Sequence, residues 1–382
     1  MKSSDLAVKI GEYVQQPQGY KAYIPEKFPP ENQSFFKNSK IINLLSEAGI
    51  LLGRLDGITK LLPDIDFFVL MYVKKEAALS SQIEGTRAKL TDALQAEMEK
   101  TPNLPSDVDD ILHYIDAMNV GLKRLEELPI SLRLIKEVHR ILLTAARSSH
   151  NPLPGEFRID QNWVDGTSPM DAKFVPPPHQ IVTDAMGDIE KFFHDYKNIP
   201  ILVKAGLIHS QFETIHPFRD GNGRVGRLLV TFYLCQQNIL SRPVLYLSEF
   251  LKRNREVYFN RLEDYRKGRV VDWLEFFLRG IVEVAGEAIA LSDKVIALRV
   301  QDLEKIATFG KKTSKAALVM LKELYRSPMI NVARVQKITG FSRQGAYNLI
   351  KKFQDSDILV QRGPKKYGKN YVYKDYLRLF EY

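Results

Sequence analysis

The sequence is poor in cysteine, with one residue, Cys235, among 382. A disulfide within the chain is therefore impossible, and this usage is typical of proteins in a reducing cytoplasm. The first residues, Met1 to Leu6, are not followed by an apolar run, so we expect no signal peptide. No stretch approaches the roughly eighteen consecutive apolar residues of a membrane span. These absences predict a cytoplasmic protein that has no membrane partner.

Acidic residues are scarce near the C-terminus. Residues 310–382 contain sixteen Lys and Arg but only five Asp and Glu, a net charge of +11. The whole chain carries +9, so residues 1–309 together carry −2. The basic excess therefore lies in one C-terminal module, and such a module indicates an acidic partner such as nucleic acid.

Strand patterns are few, whereas helical periodicity covers most of the chain. The predicted helices are 44–55, 67–80, 108–122, 132–145, 181–196, 201–214 and 273–298. Prolines at 102 and 105 predict a break between an N-terminal helical region, 1–105, and a core, 106–300. A third domain, 310–382, follows a long connecting helix. We expect a mainly α protein in which the segment to about Gln33, rich in Pro and Gly, is an extended arm.

One short segment, residues 216–227, brings together groups that suit phosphate chemistry. The turn Gly221–Gly223 opens an apolar helix, and the free N–H groups and dipole of a helix N-terminus bind anions. Arg224 and Arg227 lie three residues apart on one helix face. The segment also holds a proton acceptor near neutral pH and a ligand for a hard divalent cation, His216 and Asp220. This set predicts a phosphoryl- or nucleotidyl-transfer site.

The same segment resembles the Fic family, whose signature His-Pro-Phe-x-Asp/Glu-Gly-Asn-Gly-Arg-x-x-Arg is matched at every fixed position. The resemblance implies a helical Fic-type core that transfers AMP from ATP to a Ser, Thr or Tyr hydroxyl of a target protein. It implies ATP as the substrate and Mg²⁺ as the cofactor, with His216 as general base, Asp220 as metal ligand and Phe218 buried. The residues that would contact the nucleotide phosphates are Gly221, Asn222, Gly223, Arg224 and Arg227.

A second motif, Ser80-Ser81-Gln82-Ile83-Glu84-Gly85, matches the family's inhibitory pattern, Ser/Thr-x-x-x-Glu-Gly/Asn. Ser80 and Glu84 are four residues apart and share one face of a helix that Gly85 ends. By resemblance, Glu84 pairs with Arg227 in the place of the γ-phosphate, so that ATP binds unproductively or not at all. We therefore expect an enzyme that inhibits itself.

Residues 154–168 predict a short β-hairpin, because strand-like segments flank the turn signal Asp165-Gly166. The resemblance implies a flap that aligns the target segment by strand addition, and an ordinary surface hairpin is the alternative. The central flap residues are Val164, Asp165, Gly166 and Thr167. Further along the chain, the resemblance assigns adenosine contacts to Asn254 and Tyr258 on a polar helix.

The C-terminal module has the element order of a winged helix-turn-helix domain. Helices are predicted at 316–325, 332–338 and 343–353, with a tight turn at 339–341 and Ser342 as a cap, and strands at 358–361 and 371–374 flank a basic wing. The module resembles bacterial winged-helix domains, which implies contacts with DNA or, alternatively, with protein. The DNA-facing residues would be Arg343, Gln344, Tyr347 and Asn348 in the third helix and Lys365, Lys366 and Lys369 in the wing.

Three hypotheses for function follow. The first is a self-inhibited adenylyltransferase that modifies a target protein or itself. The second is a related enzyme that removes AMP, with Glu84 positioning a water. The third is a DNA-binding regulator whose core senses nucleotide without turnover, although a pure sensor has no need of His216. Because dimerisation can regulate an inhibitory helix, we also expect a homodimer.

Overall fold

The structure is a computed structural model that describes residues 8–31, 34–61, 65–99, 104–144, 153–363 and 369–380. Helices dominate these ranges, as the periodicity predicts. The first five are α1 (Ser39–Leu61), α2 (Ile65–Ile83), α3 (Leu90–Glu99), α4 (Ser106–Leu125) and α5 (Leu132–Leu142). The next six are α6 (Val182–His194), α7 (Ile201–Ile215), α8 (Asn222–Gln236), α9 (Ser248–Arg253), α10 (Arg255–Arg266) and α11 (Val270–Ala307). Short 3-10 turns lie at Ser34–Lys37 and His179–Ile181.

Helix α7 lies at the centre of the core and is buried from Leu202 to its end. It packs against α6, α8, α10 and α11. Gly206 allows the close approach of α11, because a Cβ at this position would lie 2.9 Å from the Phe277 ring. The Trp273 indole also donates to the Gly206 carbonyl at 2.9 Å, which satisfies its only polar atom. This packing gives the segment after α7 a rigid base. No described helix is long and apolar enough to cross a membrane.

The predicted N-terminal arm is a β-hairpin in the structure. Strands β1 (Gly11–Gln15) and β2 (Lys21–Pro25) pair in antiparallel register. Tyr23 joins the hairpin to the core, since its N–H donates to the Val175 carbonyl and its hydroxyl to the Arg266 carbonyl, both at 2.9 Å. The arm therefore packs beside residues 174–175, close to the predicted flap.

The C-terminal module contains the predicted helices and strands in the predicted order, together with an unpredicted strand, Met329–Asn331, and an unpredicted last helix, Lys374–Arg378. Its elements are α12 (Lys311–Arg326), β3 (Met329–Asn331), α13 (Val332–Thr339), α14 (Arg343–Asp355), β4 (Val360–Arg362), β5 (Asn370–Val372) and α15 (Lys374–Arg378). The strands form an antiparallel sheet in the order β3-β5-β4. Ser342 caps α14 as predicted, because its Oγ accepts from the Gly345 N–H at 3.2 Å. Lys365 and Lys366 of the predicted wing lie outside the described residues.

Candidate active site

His216 follows the last residue of α7 and has a left-handed backbone, with φ 49° and ψ 61°. For a non-glycine residue this conformation costs about 1–2 kcal/mol. Hydrogen bonds hold it in place: the His216 N–H donates to the Phe212 carbonyl at 2.9 Å, and the His216 carbonyl accepts from Arg158 Nε at 3.0 Å. The left-handed residue ends α7 sharply and turns the chain toward α8.

The loop between α7 and α8 is anchored by Phe218, which is fully buried as predicted. Its ring stacks on His139 with 3.6 Å between ring centroids and 8° between planes. Asn222 closes the loop, since its Oδ1 accepts from the Phe218 N–H at 2.8 Å and its Nδ2 donates to the Phe218 carbonyl at 2.7 Å. Gly221, with φ 76°, supplies the left-handed turn before α8. The start of α8 is therefore fixed by side chains within the motif itself.

His139 on α5 is a further support for this loop. Its Nδ1 accepts from the Gly155 N–H at 2.9 Å, so its Nε2 carries the hydrogen and donates to the Asp220 carbonyl at 3.0 Å. Burial lowers the pKa of His139 to about 4, which keeps this neutral tautomer near neutral pH. The sequence shows no metal-ligand spacing around His139, and the structure gives it a supporting position instead.

The second motif arginine, Arg227, is held by the end of α2. Its Nε donates to Ser80 Oγ at 2.8 Å and its Nη2 to the Ser80 carbonyl at 3.0 Å. Nη2 also lies 2.8 Å from Glu84 Oε1. Gly85, with φ 103°, follows the helix end, as its place in the motif predicts. Burial raises the pKa of Glu84, but the Arg227 charge and hydrogen bond outweigh burial and leave that pKa below its ordinary value.

The Glu84 carboxylate covers the first turn of α8. A Cβ placed on Gly223 would lie 2.2 Å from Glu84 Oε1 and 2.9 Å from Arg227 Nη1. Free N–H groups and the positive dipole end make this turn an anion site, and a carboxylate already lies against it. Arg224, the first motif arginine, faces two other carboxylates, with 3.6 Å to Asp110 Oδ1 and 3.5 Å to Asp220 Oδ1.

The electrostatic environment favours a neutral imidazole at His216. Burial, followed by the positive charge of Arg158, lowers the pKa of His216 to about 4, and Arg266 adds to this while Glu84 opposes it. A neutral imidazole is the form that accepts a proton. Near pH 7 the side chain is therefore ready to act as a base.

The Asp220 carboxylate is the candidate metal ligand. Its side chain is 49% exposed, and Oδ1 accepts from the Gly221 N–H at 2.5 Å. Among the described residues, no group of three or more His, Cys, Asp and Glu is arranged to hold a metal ion. Mg²⁺ commonly takes one or two carboxylates, with substrate phosphates and water as its other ligands. A single exposed carboxylate beside an anion site fits that mode.

The prediction that residues 154–168 form a pair of β-strands is wrong. One isolated β-bridge joins Val164 to Phe174, and bends and turns fill most of the interval. Asp165 and Gly166 have left-handed backbones, with φ 54° and 99°. The Asp171 carboxylate then accepts from both the N–H and the hydroxyl of Thr167 and Ser168, at 2.7–3.0 Å. These side-chain bonds replace the strand ladder that the Asp165-Gly166 turn signal predicts.

The two residues predicted to contact adenosine, Tyr258 and Asn254, have different surroundings in the structure. Tyr258 is buried, and its hydroxyl lies 2.9 Å from Nε2 of His209, whose Nδ1 bonds to the Gly226 carbonyl at 3.1 Å. Asn254 precedes α10, and its Nδ2 donates to the Phe250 carbonyl at 3.0 Å. Tyr258 and His209 thus form a buried pair behind α8, away from an open surface.

Two buried residues near the site, Arg158 and Glu213, were not predicted from the sequence. Arg158, inside the predicted hairpin, contacts four backbone carbonyls. Glu213, on α7 one turn before His216, lies against Gly226, where a Cβ would be 2.7 Å from its Oε1. Burial raises the pKa of Glu213 to about 7, against the opposing charge of Arg227. Their partners are distant in sequence or offset across helices, so local patterns do not reveal them.

Comparisons with known proteins agree with this geometry. Residues 42–123 match the family model described as Fic/DOC family N-terminal, and residues 129–234 match Fic/DOC family. The first match contains α2, Glu84 and α3 and ends within α4, and the second contains His216 and both motif arginines. A probable protein adenylyltransferase of Aquifex aeolicus is 38% identical over 207 residues, which are 54% of this chain and 59% of that protein.

More distant similarity extends to animals and to solved structures. A protein adenylyltransferase of Drosophila virilis is 28% identical over 53% of this chain and 41% of its own length, so the chain spans about half the length of these relatives. A Fic family protein from Desulfovibrio desulfuricans has a TM-score of 0.54 at 18% identity, covering 88% of this chain and 96% of that one. Fic-1 of Caenorhabditis elegans has a TM-score of 0.50 at 19% identity, covering 68% and 73%. These two structures share the fold.

Proposed function

We propose that this chain, which carries both domains of the Fic/DOC family, is a protein adenylyltransferase that transfers AMP from ATP to a Ser, Thr or Tyr hydroxyl of a target protein. The observation that carries the proposal is the pairing of a neutral imidazole, His216, with an anion-binding helix start only a few residues away. A base and a phosphate site on one rigid loop are the two parts that nucleotidyl transfer to a hydroxyl requires.

In the proposed reaction, the target hydroxyl oxygen forms a bond to the α-phosphorus of ATP as the bond to the β-phosphate oxygen breaks. His216 accepts the hydroxyl proton, and pyrophosphate leaves. The N–H groups at the start of α8 and the Arg224 guanidinium stabilise the negative charge on the phosphates. Asp220 would hold Mg²⁺, which when bound neutralises phosphate charge. The loop anchors, Phe218 and Asn222, keep the base and the phosphate site in register.

We also propose that the site is inhibited by its own α2. The Glu84 carboxylate lies on the anion site and uses an Arg227 nitrogen that would otherwise reach the γ-phosphate. A nucleotide must displace this carboxylate to bind productively. The Ser80 contacts would keep Arg227 in place when Glu84 moves away, so the arginine need not reorganise.

Labelling with ATP that carries ³²P at the α- or the γ-position tests the activity. The purified chain is incubated with a cell lysate and Mg²⁺, with itself included as an acceptor. Adenylyl transfer labels protein from α-³²P-ATP and leaves it unlabelled from γ-³²P-ATP. Label from the γ-position would show phosphoryl transfer instead, and no label from either position with the Glu84→Gly variant would refute the proposal. Loss of label from a modified target on adding wild-type protein would favour AMP removal.

A second proposed function is DNA binding by residues 310–382, supported by their net charge of +11. Arg343, Gln344 and Tyr347 are exposed on α14, which Ser342 caps. An exposed third helix with such side chains is the element that winged helix-turn-helix proteins insert into the major groove. Salt-dependent binding to duplex DNA tests this, and a module that binds only protein would show none.

A further inference from the structure

Arg158 is a buried cation whose side chain, within the described part of the chain, hydrogen-bonds only to backbone carbonyls. Its residue is 2% exposed. Nε donates to the His216 carbonyl at 3.0 Å and Nη1 to the Asp160 carbonyl at 2.9 Å, while Nη2 donates to the carbonyls of Pro177 and, at 3.4 Å, Ile215. Among the described residues it forms no ion pair, and the Asp160 carboxylate, whose charge raises the pKa of Arg158, is paired with Arg219 instead. Burying an unpaired charge is costly, so such an arrangement needs a compensating role.

The four carbonyls belong to three segments, and Arg158 joins these segments beside His216, the residue proposed as the base. Ile215 is the last residue of α7 and His216 follows it, so their carbonyls lie at the negative end of the helix dipole, where a cation is favoured. Pro177 belongs to the proline run before α6, and Asp160 to the loop that leads to Val164. The Arg158 N–H also donates to the Pro217 carbonyl at 2.9 Å, so backbone and side chain of one residue bracket His216.

We propose that Arg158 is the positioning residue for His216: its guanidinium holds the left-handed His216 backbone and places a fixed positive charge beside the imidazole. This rests on the proposed function of His216 as general base. The fork holds the backbone that carries the ring, and the charge disfavours the protonated ring. Both effects act on catalysis through His216, without contact between Arg158 and the substrate.

The charges around His216 support an electrostatic part of this role. Burial is the largest cause that lowers the pKa of His216, and Arg158 is the next. Arg266 acts in the same direction, whereas the Glu84 charge raises it. Burial also lowers the pKa of Arg158 itself, to about 10, so its charge persists at neutral pH. Removal of that charge is therefore expected to raise the pKa of the imidazole.

The test compares Arg158→Lys, which keeps the charge and loses the fork, with Arg158→Gln, which loses both. Arg133→Gln, at an exposed position of α5, is the matched control. Each protein is examined in the Glu84→Gly background by an NMR titration of the His216 ring, assigned with His216→Ala, and by the pH dependence of α-³²P-ATP labelling. The NMR titration needs no activity. If the proposed function is wrong, the Glu84→Gly protein shows no labelling, but the titration of the His216 ring can still be interpreted.

For Arg158→Gln, we expect the pKa of His216 to rise by about one unit, which is 1.4 kcal/mol of differential interaction. We also expect kcat to fall about tenfold with KM for ATP unchanged, because Gln cannot form the fork that holds the His216 backbone. Arg158→Lys should leave the titration near that of the parent but lower kcat about tenfold. If Arg158→Gln does not fold, the kcat of Arg158→Lys tests the proposal. An unshifted His216 titration in folded Arg158→Gln, or an unchanged kcat in Arg158→Lys, overturns the proposal.

Discussion

Glu84 Oε1 lies 2.8 Å from Arg227 Nη2, and the same oxygen is so close to Gly223 that a Cβ there would be 2.2 Å away. One carboxylate thus neutralises the second motif arginine and covers the backbone of the anion site. The Glu84 side chain is 39% exposed, whereas that of Arg227 is 2% exposed. The more exposed partner of the pair is the glutamate, which follows the end of α2, and the buried partner is the arginine.

The first prediction concerns release of this pair. Glu84→Gly should raise α-³²P-ATP labelling at least about tenfold, because removing an Arg–carboxylate contact of about 1.5–3 kcal/mol frees the γ-phosphate position. The matched control is Glu126→Gly, which changes the exposed glutamate that follows the end of α4. Equal labelling by Glu84→Gly and the wild type would show that the ion pair does not limit nucleotide binding.

This relationship was predictable because both partners belong to short, specific motifs. Helices α11 and α14 were predictable for a different reason, since each buries one face and its apolar residues recur at helical spacing. The flap was not predictable, because the contacts of Asp171 with Thr167 and Ser168 take the place of the strand pairing that the turn signal predicts. A local pattern does not encode which side chain will compete for the backbone.

The supports behind the site illustrate a second limit of sequence interpretation. His139 reaches the Asp220 carbonyl across 81 residues, and Arg158 reaches the His216 carbonyl across 58. No rule of residue spacing predicts either contact, because each depends on how α5 and the loop after it pack against α7. The motif residues could be assigned by type, but the groups that orient them required the folded structure.

The second prediction is the pH dependence of the reaction. With the pKa of His216 at about 4, the base is neutral across the physiological range and becomes protonated only in acid. Labelling by Glu84→Gly should therefore show no acidic limb between pH 6 and 8, and His216→Ala should abolish labelling. The measurement is the initial labelling rate across that range at saturating Mg·ATP. An acidic limb near the ordinary histidine pKa of about 6.5 would contradict the low value.

The third prediction concerns acid stability, because His139 and His209 are buried in neutral form. Burial lowers the pKa of each to about 4. The unfolded chain binds more protons than the folded chain between that value and about 6.5, so stability is full above this window and falls as pH decreases through it. Each residue contributes up to about 3 kcal/mol to the loss.

Urea unfolding at pH 7.5 and pH 5 measures this loss. His139→Gln should reduce the difference in unfolding free energy between the two pH values, even if it lowers stability at both. His179→Gln, at a half-buried position before α6, serves as control and should keep the wild-type difference. An unaltered difference in His139→Gln would mean that the ring is not held neutral by the fold.

The fourth prediction concerns the basic C-terminal module. Replacing Arg343, Gln344 and Tyr347 together by Ala should weaken binding to duplex DNA while leaving labelling by the core unchanged, since these side chains are exposed on α14, outside the residues that form the site. Fluorescence anisotropy at several salt concentrations is the measurement. Phosphate contacts give a linear fall of log K with log salt, and loss of one such contact reduces the slope by about 1.

Arg133→Ala on α5 is a control for the loss of one surface charge. A wild-type protein that fails to bind duplex DNA even at low salt would contradict the DNA-binding proposal and favour a protein partner for the module, because electrostatic attraction to phosphates is the least sequence-dependent part of DNA recognition.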